Sequence, residues 1–222
     1  STLVDYNRAG VPLLELVTEP DLNSAEEVKE FGEELQKILR YLDASDADME
    51  KGQLRVEANI SLRRGSLNQA RDLVGRTDSV EESVLGTKVE IKNINSFRFA
   101  AAAVEYEIER QSSLLAKGEK IIQETRGWDE KRNMSVSQRH KEESQDYRYF
   151  PEPDIPPLRI STSLVDEIRS SLPELPNEKF RRFQDEFGID AKLAAVIVQD
   201  KNVAGFFEAT ISELKEWLSS RD

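Results

Sequence analysis

Gln53-Leu54-Arg55-Val56-Glu57-Ala58-Asn59-Ile60-Ser61-Leu62-Arg63 alternates without a break. Leu54, Val56, Ala58, Ile60 and Leu62 fall on one side; Arg55, Glu57, Asn59, Ser61 and Arg63 fall on the other. Strict period two predicts a β-strand with one face on a core and the other toward water. Thr87 to Asn93 repeats the pattern, setting Val89 and Ile91 against Lys88, Glu90 and Lys92. Val11 to Thr18 is a third strand candidate, and Lys120 to Arg126 with Met134 to Lys141 predict a hairpin. Residues 64–86 read as a long polar loop.

Helical patterns flank these strands. Ser24 with Glu27 three residues on has the spacing of a capping box. It opens an apolar stripe of Val28, Phe31, Leu35, Ile38, Leu39 and Leu42, the pattern of a helix with one buried face. Ser96 predicts the start of a second helix, with Ala100, Val104, Ile108, Gln111 and Leu115 on one side. Two helices beside an antiparallel sheet define an α+β layer architecture. Phe150-Pro151-Glu152-Pro153-Asp154-Ile155-Pro156-Pro157 ends that unit, because proline fixes φ and removes a backbone donor. Beyond it only short helices are expected. The predicted organisation is a sheet-bearing domain over residues 1–160 and the start of a helical domain over 161–222, with Trp217 and its apolar neighbours in the core.

Composition narrows the function classes. Hydrophobic residues make up 38% of the 222 and charged ones 33%, a globular balance rather than a disordered one. The net charge of −12 excludes coating of nucleic acid by counterion release alone, so any RNA contact needs a local basic patch or another domain. The absence of cysteine excludes disulfides and thiolate zinc sites, and His140, the only histidine, gives a Ser-His triad little support. No apolar run reaches the roughly 18 residues of a membrane span. Neither phosphate-binding glycine motif occurs, and Asp43, Asp46, Asp48 and Glu50 miss the EF-hand spacing. The first residues, Ser1-Thr2-Leu3-Val4-Asp5, are neither a signal peptide nor a basic presequence. They lack an initiator Met, so a start inside a larger protein is expected.

The polar strand faces carry what chemistry the residues offer. Such a face ordinarily stands in water, and composition alone favours that solvated role. Yet Arg55, Glu57 and Asn59 on one strand would meet Lys88, Glu90 and Lys92 on another, with Glu15 and Glu19 before them. Carboxylates and cations on one rigid sheet suit Mg²⁺ and a polyphosphate, because hard oxygens hold the metal and Lys or Arg offset phosphoryl charge. Arg126, Arg139, Lys141 and Arg148 add cations near the hairpin, where solvated hairpin charge is again the ordinary role. Tyr147, Tyr149 and Phe150 are expected to anchor the Pro-rich linker.

Several of these segments resemble one family. Asp5-Tyr6-Asn7-Arg8-Ala9-Gly10-Val11-Pro12-Leu13-Leu14-Glu15-Leu16-Val17-Thr18-Glu19-Pro20-Asp21 is similar to a signature of the tRNA-dependent amidotransferase B subunits, the GatB/GatE family. So are Met49-Glu50-Lys51-Gly52-Gln53-Leu54-Arg55, Ala58-Asn59-Ile60-Ser61, Glu90-Ile91-Lys92-Asn93-Ile94-Asn95-Ser96-Phe97, Gln123-Glu124-Thr125-Arg126 and Asp146-Tyr147-Arg148-Tyr149-Phe150-Pro151-Glu152-Pro153-Asp154. They occur in family order, cover residues 1 to about 160, and are followed from Leu172 by a stretch similar to the start of the family's helical domain.

The resemblance implies an antiparallel-sheet cradle of the glutamine synthetase and guanido-kinase type. It implies a cytoplasmic ATP- and Mg²⁺-using ligase that phosphorylates the side-chain carboxylate of Glu-tRNA(Gln) or Asp-tRNA(Asn). Ammonia then displaces the phosphate; it is released from glutamine by a separate amidase chain, which together with a third, small chain completes a heterotrimer. By the same resemblance Glu15, Glu57 and Glu90 are metal ligands, and Glu57, Glu90, Arg55 and Lys92 are catalytic. Lys88, Arg126, Arg139 and Lys141 bind the nucleotide phosphates. Position 57 usually carries Asp in the family motif, and Val56 stands where Cys is common. Family metal ligands, a histidine among them, would precede Ser1, and the tRNA-binding tail would follow Asp222, so the chain alone is expected to be inactive. Two competing roles remain, a tRNA-docking module and a small-molecule carboxylate-amine ligase.

Overall fold

The structure, a computed structural model, describes residues 3–7, 10–62, 85–140, 151 and 153–221, with the side chains of Arg139 and His140 excepted. Most of the predicted loop at 64–86, together with Lys141, Arg148 and the Tyr147, Tyr149 and Phe150 anchor, lies outside those residues. Two helices and four strands build the first layer pair: α1 (Ala25–Tyr41), β1 (Val56–Ile60), β2 (Val89–Ile94), α2 (Phe97–Ala116), β3 (Glu124–Asp129) and β4 (Met134–His140). The strands lie in the order β1-β2-β3-β4.

Both helices begin as the sequence predicts. Ser24 Oγ accepts from Glu27 N at 3.1 Å, and Ser96 Oγ accepts from Phe99 N at 3.1 Å, each satisfying one of the donors a helix start leaves unpaired. The Glu27 carboxylate reaches Asn23 N at 2.5 Å rather than the cap residue itself. The two helices meet where α1 has no side chain: Gly32 is buried, and a Cβ there would stand 2.5 Å from Cδ1 and 2.6 Å from Cε1 of Phe97.

The sheet is mixed, where an antiparallel one was expected. β1 and β2 are antiparallel and so are β3 and β4, but β2 and β3 run parallel. The reason is α2. Its 20 residues span about 30 Å, enough to carry the chain from the end of β2 back to the end at which β2 began, so β3 runs the same way. Ala58, Ile60, Ile91, Ile94, Ala100, Ala103, Val104 and Trp128 form the core between α2 and the sheet. Ile91 and Ile94 are three apart, yet both are buried. A one-residue slip between Val56↔Ile94 and Ala58↔Ile91 makes this possible. Asn93, at φ 63, takes up the extra residue of this bulge.

Two strand expectations change. Residues 11–18 form no ladder and are exposed, Leu13 at 91% and Val17 at 80%. A strand exists only where a neighbouring strand satisfies its backbone, and none among the described residues pairs with this segment. The first hairpin strand is shifted from Lys120–Arg126 to Glu124–Asp129, and Trp128, 3% exposed, anchors it under Tyr106 with ring centroids 6.1 Å apart.

Beyond the Pro-rich stretch come α3 (Thr162–Ser171), α4 (Pro176–Phe187), α5 (Ala191–Ile197) and α6 (Lys201–Ser219). The 19-residue α6 exceeds the short helices expected. A second core gathers Phe183, Ile197, Val198 and Ala204, with the rings of Phe183, Phe187 and Phe207 within 5.2–5.7 Å of one another. Trp217 is not part of it. It is half exposed with the Arg221 guanidinium 3.8 Å above its ring, because α6 runs past the region that Ala204 and Phe207 bury. α1 joins the two cores: Tyr41 Oη donates to Val198 O at 3.0 Å, and Lys201 Nζ meets Asp43 Oδ2 at 2.5 Å.

Candidate active site on the polar face of the sheet

Strand register decides which side chains meet. Asn59 pairs with Glu90, Glu90 with Thr125 and Thr125 with Arg139, one row across all four strands. Partners in a ladder share a face, so this row belongs to the side away from α2. Lys92 begins the next row, beside Gly127. Glu57 reaches it from β1: Lys92 Nζ lies 3.1 Å from both Glu57 oxygens and 3.6 Å from Glu90 Oε1. Two carboxylates from neighbouring strands therefore surround a single cationic centre. The hydrogen bond to Glu57 is the main cause that raises the Lys92 amine above its ordinary value, against the opposing effect of burial. The other Glu90 oxygen accepts from Thr125 Oγ1 at 2.7 Å.

The side chain of Gln138 lies over Gly127. A Cβ there would collide with the side chain of Gln138. Gln138 is the residue by which β4 outruns β3, since the register steps from Thr125↔Arg139 to Arg126↔Ser137. Bulges of this kind re-aim side chains. Lys88 and Arg55 are exposed and lie just before β2 and β1, on the parity of Glu90 and Glu57.

Other predicted site residues lie elsewhere. Glu15 and Glu19 sit on the exposed segment before α1. Among the described residues no three carboxylate or histidine side chains gather as a metal site would. Arg126 faces α2. Its Nη1 donates to Glu124 Oε1 at 2.5 Å, its Nε to Ser135 Oγ at 2.7 Å and its Nη2 to Ser135 O at 2.8 Å. Its Nε also lies 3.9 Å from the fully buried Glu107. Glu107 accepts from Arg110 at 2.6 and 2.8 Å and from Gln111 Nε2 at 2.8 Å, and Gln111 donates onward to Ile60 O at 3.2 Å. Glu124 also accepts from Ser137 Oγ. Burial pushes the Glu124 carboxyl up, but the hydrogen bonds from Ser137 and Arg126 and the charges of Arg126 and Arg110 outweigh it and hold it below its ordinary value. Two guanidiniums thus balance two carboxylates in a buried network whose charged groups are hydrogen-bonded, while the amide oxygen of Gln111 is buried without a hydrogen-bond partner.

Thr125, Glu107 and Gly127 escaped the sequence reading. Each left a signal. Thr125 has the parity opposite to Arg126, so one of the two had to face the polar side. Glu107 falls on the Ala100, Val104, Gln111 stripe with a cation three residues on. Gly127 interrupts a strand, where glycine marks a bulge or a close approach.

The chain belongs to the GatB/GatE catalytic-domain family, whose model matches residues 1–166. Among its relatives are the aspartyl/glutamyl-tRNA(Asn/Gln) amidotransferase B subunits of Persephonella marina, 51% identical over 96% of this chain and 42% of that protein; of Bdellovibrio bacteriovorus, 44% identical over 99% and 43%; and of Trichodesmium erythraeum, 48% identical over 95% and 40%. The chain thus spans about two fifths of the length of the curated relatives it matches.

Proposed function

We propose that this chain is the ATP-using catalytic segment of a tRNA-dependent amidotransferase B subunit, acting on Glu-tRNA(Gln), Asp-tRNA(Asn) or both. The observation that carries the proposal is the pairing of Glu57 and Glu90 about one cation, Lys92, on an open sheet face. A free carboxylate is a poor acyl donor. In the first step a carboxylate oxygen of the aminoacyl side chain attacks the γ-phosphorus of ATP and ADP departs with the broken P–O bond. Ammonia then attacks the acyl carbon, phosphate leaves with the C–O bond pair, and a proton is lost. The ammonia would come from a glutamine-hydrolysing amidase chain, assembled with this one and with a third, small chain.

Oxygen donors in this arrangement fit Mg²⁺, which prefers carboxylates and waters; when bound, the metal offsets charge repulsion between the reacting oxygens. Glu57 and Glu90 would hold it. Glu15 is proposed as a third ligand, and it is the one that the sheet itself does not carry. Lys92, together with Arg55, Lys88 and Arg139, would steady the phosphates. The Arg126 guanidinium is already spent on Glu124 and Ser135, so it supports the sheet from beneath instead. An open sheet face with helices behind it is compatible with a glutamine synthetase or guanido-kinase type cradle.

Glu57→Gln and Glu90→Gln in the assembled full-length complex test the proposal. Transfer of the ATP γ-phosphoryl group to mischarged tRNA is expected to be lost while the three chains still co-purify. Intact chemistry with weakened assembly would overturn it in favour of a docking module, and amide formation without charged tRNA would favour a small-molecule ligase.

A further inference from the structure

We infer that Thr125 is a positioning residue for Glu90, fixing it so that a single oxygen, Oε1, would be presented to a metal ion on the polar face. The inference rests on the proposed catalytic role of Glu90. The Glu90 carboxylate is held at both ends. Oε2 accepts from Thr125 Oγ1 at 2.7 Å, and Oε1 lies 3.6 Å from Lys92 Nζ. With Oε2 engaged by a neutral hydroxyl donor, Oε1 is the oxygen that would be offered to a metal ion on this face, whereas an unrestrained carboxylate could chelate with two.

Several features make Thr125 suited to this. It is 7% exposed, so its hydroxyl does not compete with bulk water. It pairs directly with Glu90 in the parallel ladder, which brings the two side chains side by side on one face. Its χ1 is restricted by β-branching. The neighbouring residues on either side are locked from below: Arg126 and Glu124 are bonded to each other at 2.5 Å and to Ser135 and Ser137. The strand therefore cannot rotate Thr125 away without breaking the buried ionic layer. Partners of metal-binding carboxylates that act in this way orient the ligand and tune its affinity.

Thr125→Val keeps shape and removes the hydroxyl; Thr125→Ser keeps the hydroxyl and removes the methyl. Glu90→Gln serves as the reference. In the full-length complex, binding of Mg²⁺ with a non-hydrolysable ATP analogue is measured by calorimetry, alongside the Mg²⁺ concentration for half-maximal phosphoryl transfer and the melting temperature. Thr125→Val is expected to weaken Mg²⁺-dependent nucleotide binding by about 10- to 100-fold. The Mg²⁺ requirement should rise in proportion, and Thr125→Ser, which keeps the donor but loses the χ1 restriction, should retain most of the binding. If Glu90→Gln abolishes binding while Thr125→Val leaves it unchanged, the positioning role is overturned and the catalytic face survives. If Thr125→Ser loses binding as fully as Thr125→Val, the hydroxyl is not the reason and the inference again fails. If Glu90→Gln itself changes nothing, the catalytic role of Glu90 falls and takes this inference with it.

Discussion

Replacing Arg126 by Met separates a structural cation from a phosphate ligand. In the structure the guanidinium makes three hydrogen bonds, at 2.5 Å to Glu124 and at 2.7 and 2.8 Å to Ser135. The two charged side chains are 12% and 7% exposed. Removing one member of a buried pair strands the other in low dielectric, which costs about 3–5 kcal/mol. Ser137 still bonds Glu124, and Arg110 still stands 3.8 Å from it, so the lower end of that range is expected near neutral pH. The loss is also pH-dependent. The Glu124 carboxyl titrates below its ordinary value in the fold, so its contribution is present above the unfolded value of about 4.3 and disappears as pH falls through the folded one. In the variant that depression shrinks. The stability gap between parent and variant should therefore be full at pH 7 and narrow below about pH 4. Urea unfolding of the purified protein at a series of pH values measures it. A double replacement, Arg126→Met with Glu124→Gln, should cost less than the sum of the singles, because it leaves no unpaired charge. A variant as stable as the parent at pH 7, with nucleotide binding lost, would refute the structural role.

Three further outcomes follow from other contacts. Gly32→Ala puts a methyl 2.5 Å from the Phe97 ring; overpacking of about 1–3 kcal/mol outweighs a helix-propensity gain of about 1, so a net loss near 1 kcal/mol is expected in urea titration, and a stabilised variant would count against the close helix contact. Burial, with Asp200 and Glu174 nearby, pushes the Tyr41 hydroxyl up to about 12. The neutral phenol therefore contributes stability that is whole below pH 10 and lost between there and 12, roughly 2–3 kcal/mol in all. Tyr41→Phe should be about 1 kcal/mol less stable at pH 7 for want of the bond to Val198 and should lose less on the alkaline side, so stability-pH curves that stay parallel there would contradict this. Asn93, at φ 63, should tolerate Gly, whereas Asn93→Val should cost about 1–2 kcal/mol of left-handed strain, and equal unfolding midpoints for the two variants would dismiss the bulge as a source of that strain.

Local periodicity made some elements legible and concealed others. β1 and β2 could be read because Ala58, Ile60, Val89 and Ile91 alternate with charges, and both helix starts could be read because Ser24 and Ser96 are caps whose effect acts within three residues. The direction of β3 was not legible, since parallel pairing follows from where α2 delivers the chain and leaves no mark in the strand. Residues 11–18 misled because their composition is that of a strand while a strand exists only by pairing. In the candidate site, Glu57, Glu90 and Lys92 were placed on a shared face by parity alone, and they do meet there. The burial of Arg126 was hidden because no rule of alternation says which of two polar neighbours, Thr125 or Arg126, a buried carboxylate on a distant helix will claim. Glu124 and Ser135 take the hydrogen bonds of Arg126, and Glu107 comes within 3.9 Å of it only once α2 has packed on the sheet.

The two faces of the sheet depend on each other through one extra residue. Below the bulge, Ser137 stands opposite Arg126 and serves Glu124. In an unbroken register Gln138 would then pair with Thr125, and Arg139 would take the position opposite Glu124 on the helix side. That side already holds two guanidiniums against two carboxylates, so a third cation there would be buried without a partner, a cost of several kcal/mol. The bulge returns Arg139 to the row of Thr125 and Glu90. The slip at Asn93 does the converse on β2: it turns Ile94 into the core while Lys92 keeps its place between Glu57 and Glu90. Charge neutrality beneath the sheet and charge convergence above it are in this way consequences of the same two irregularities.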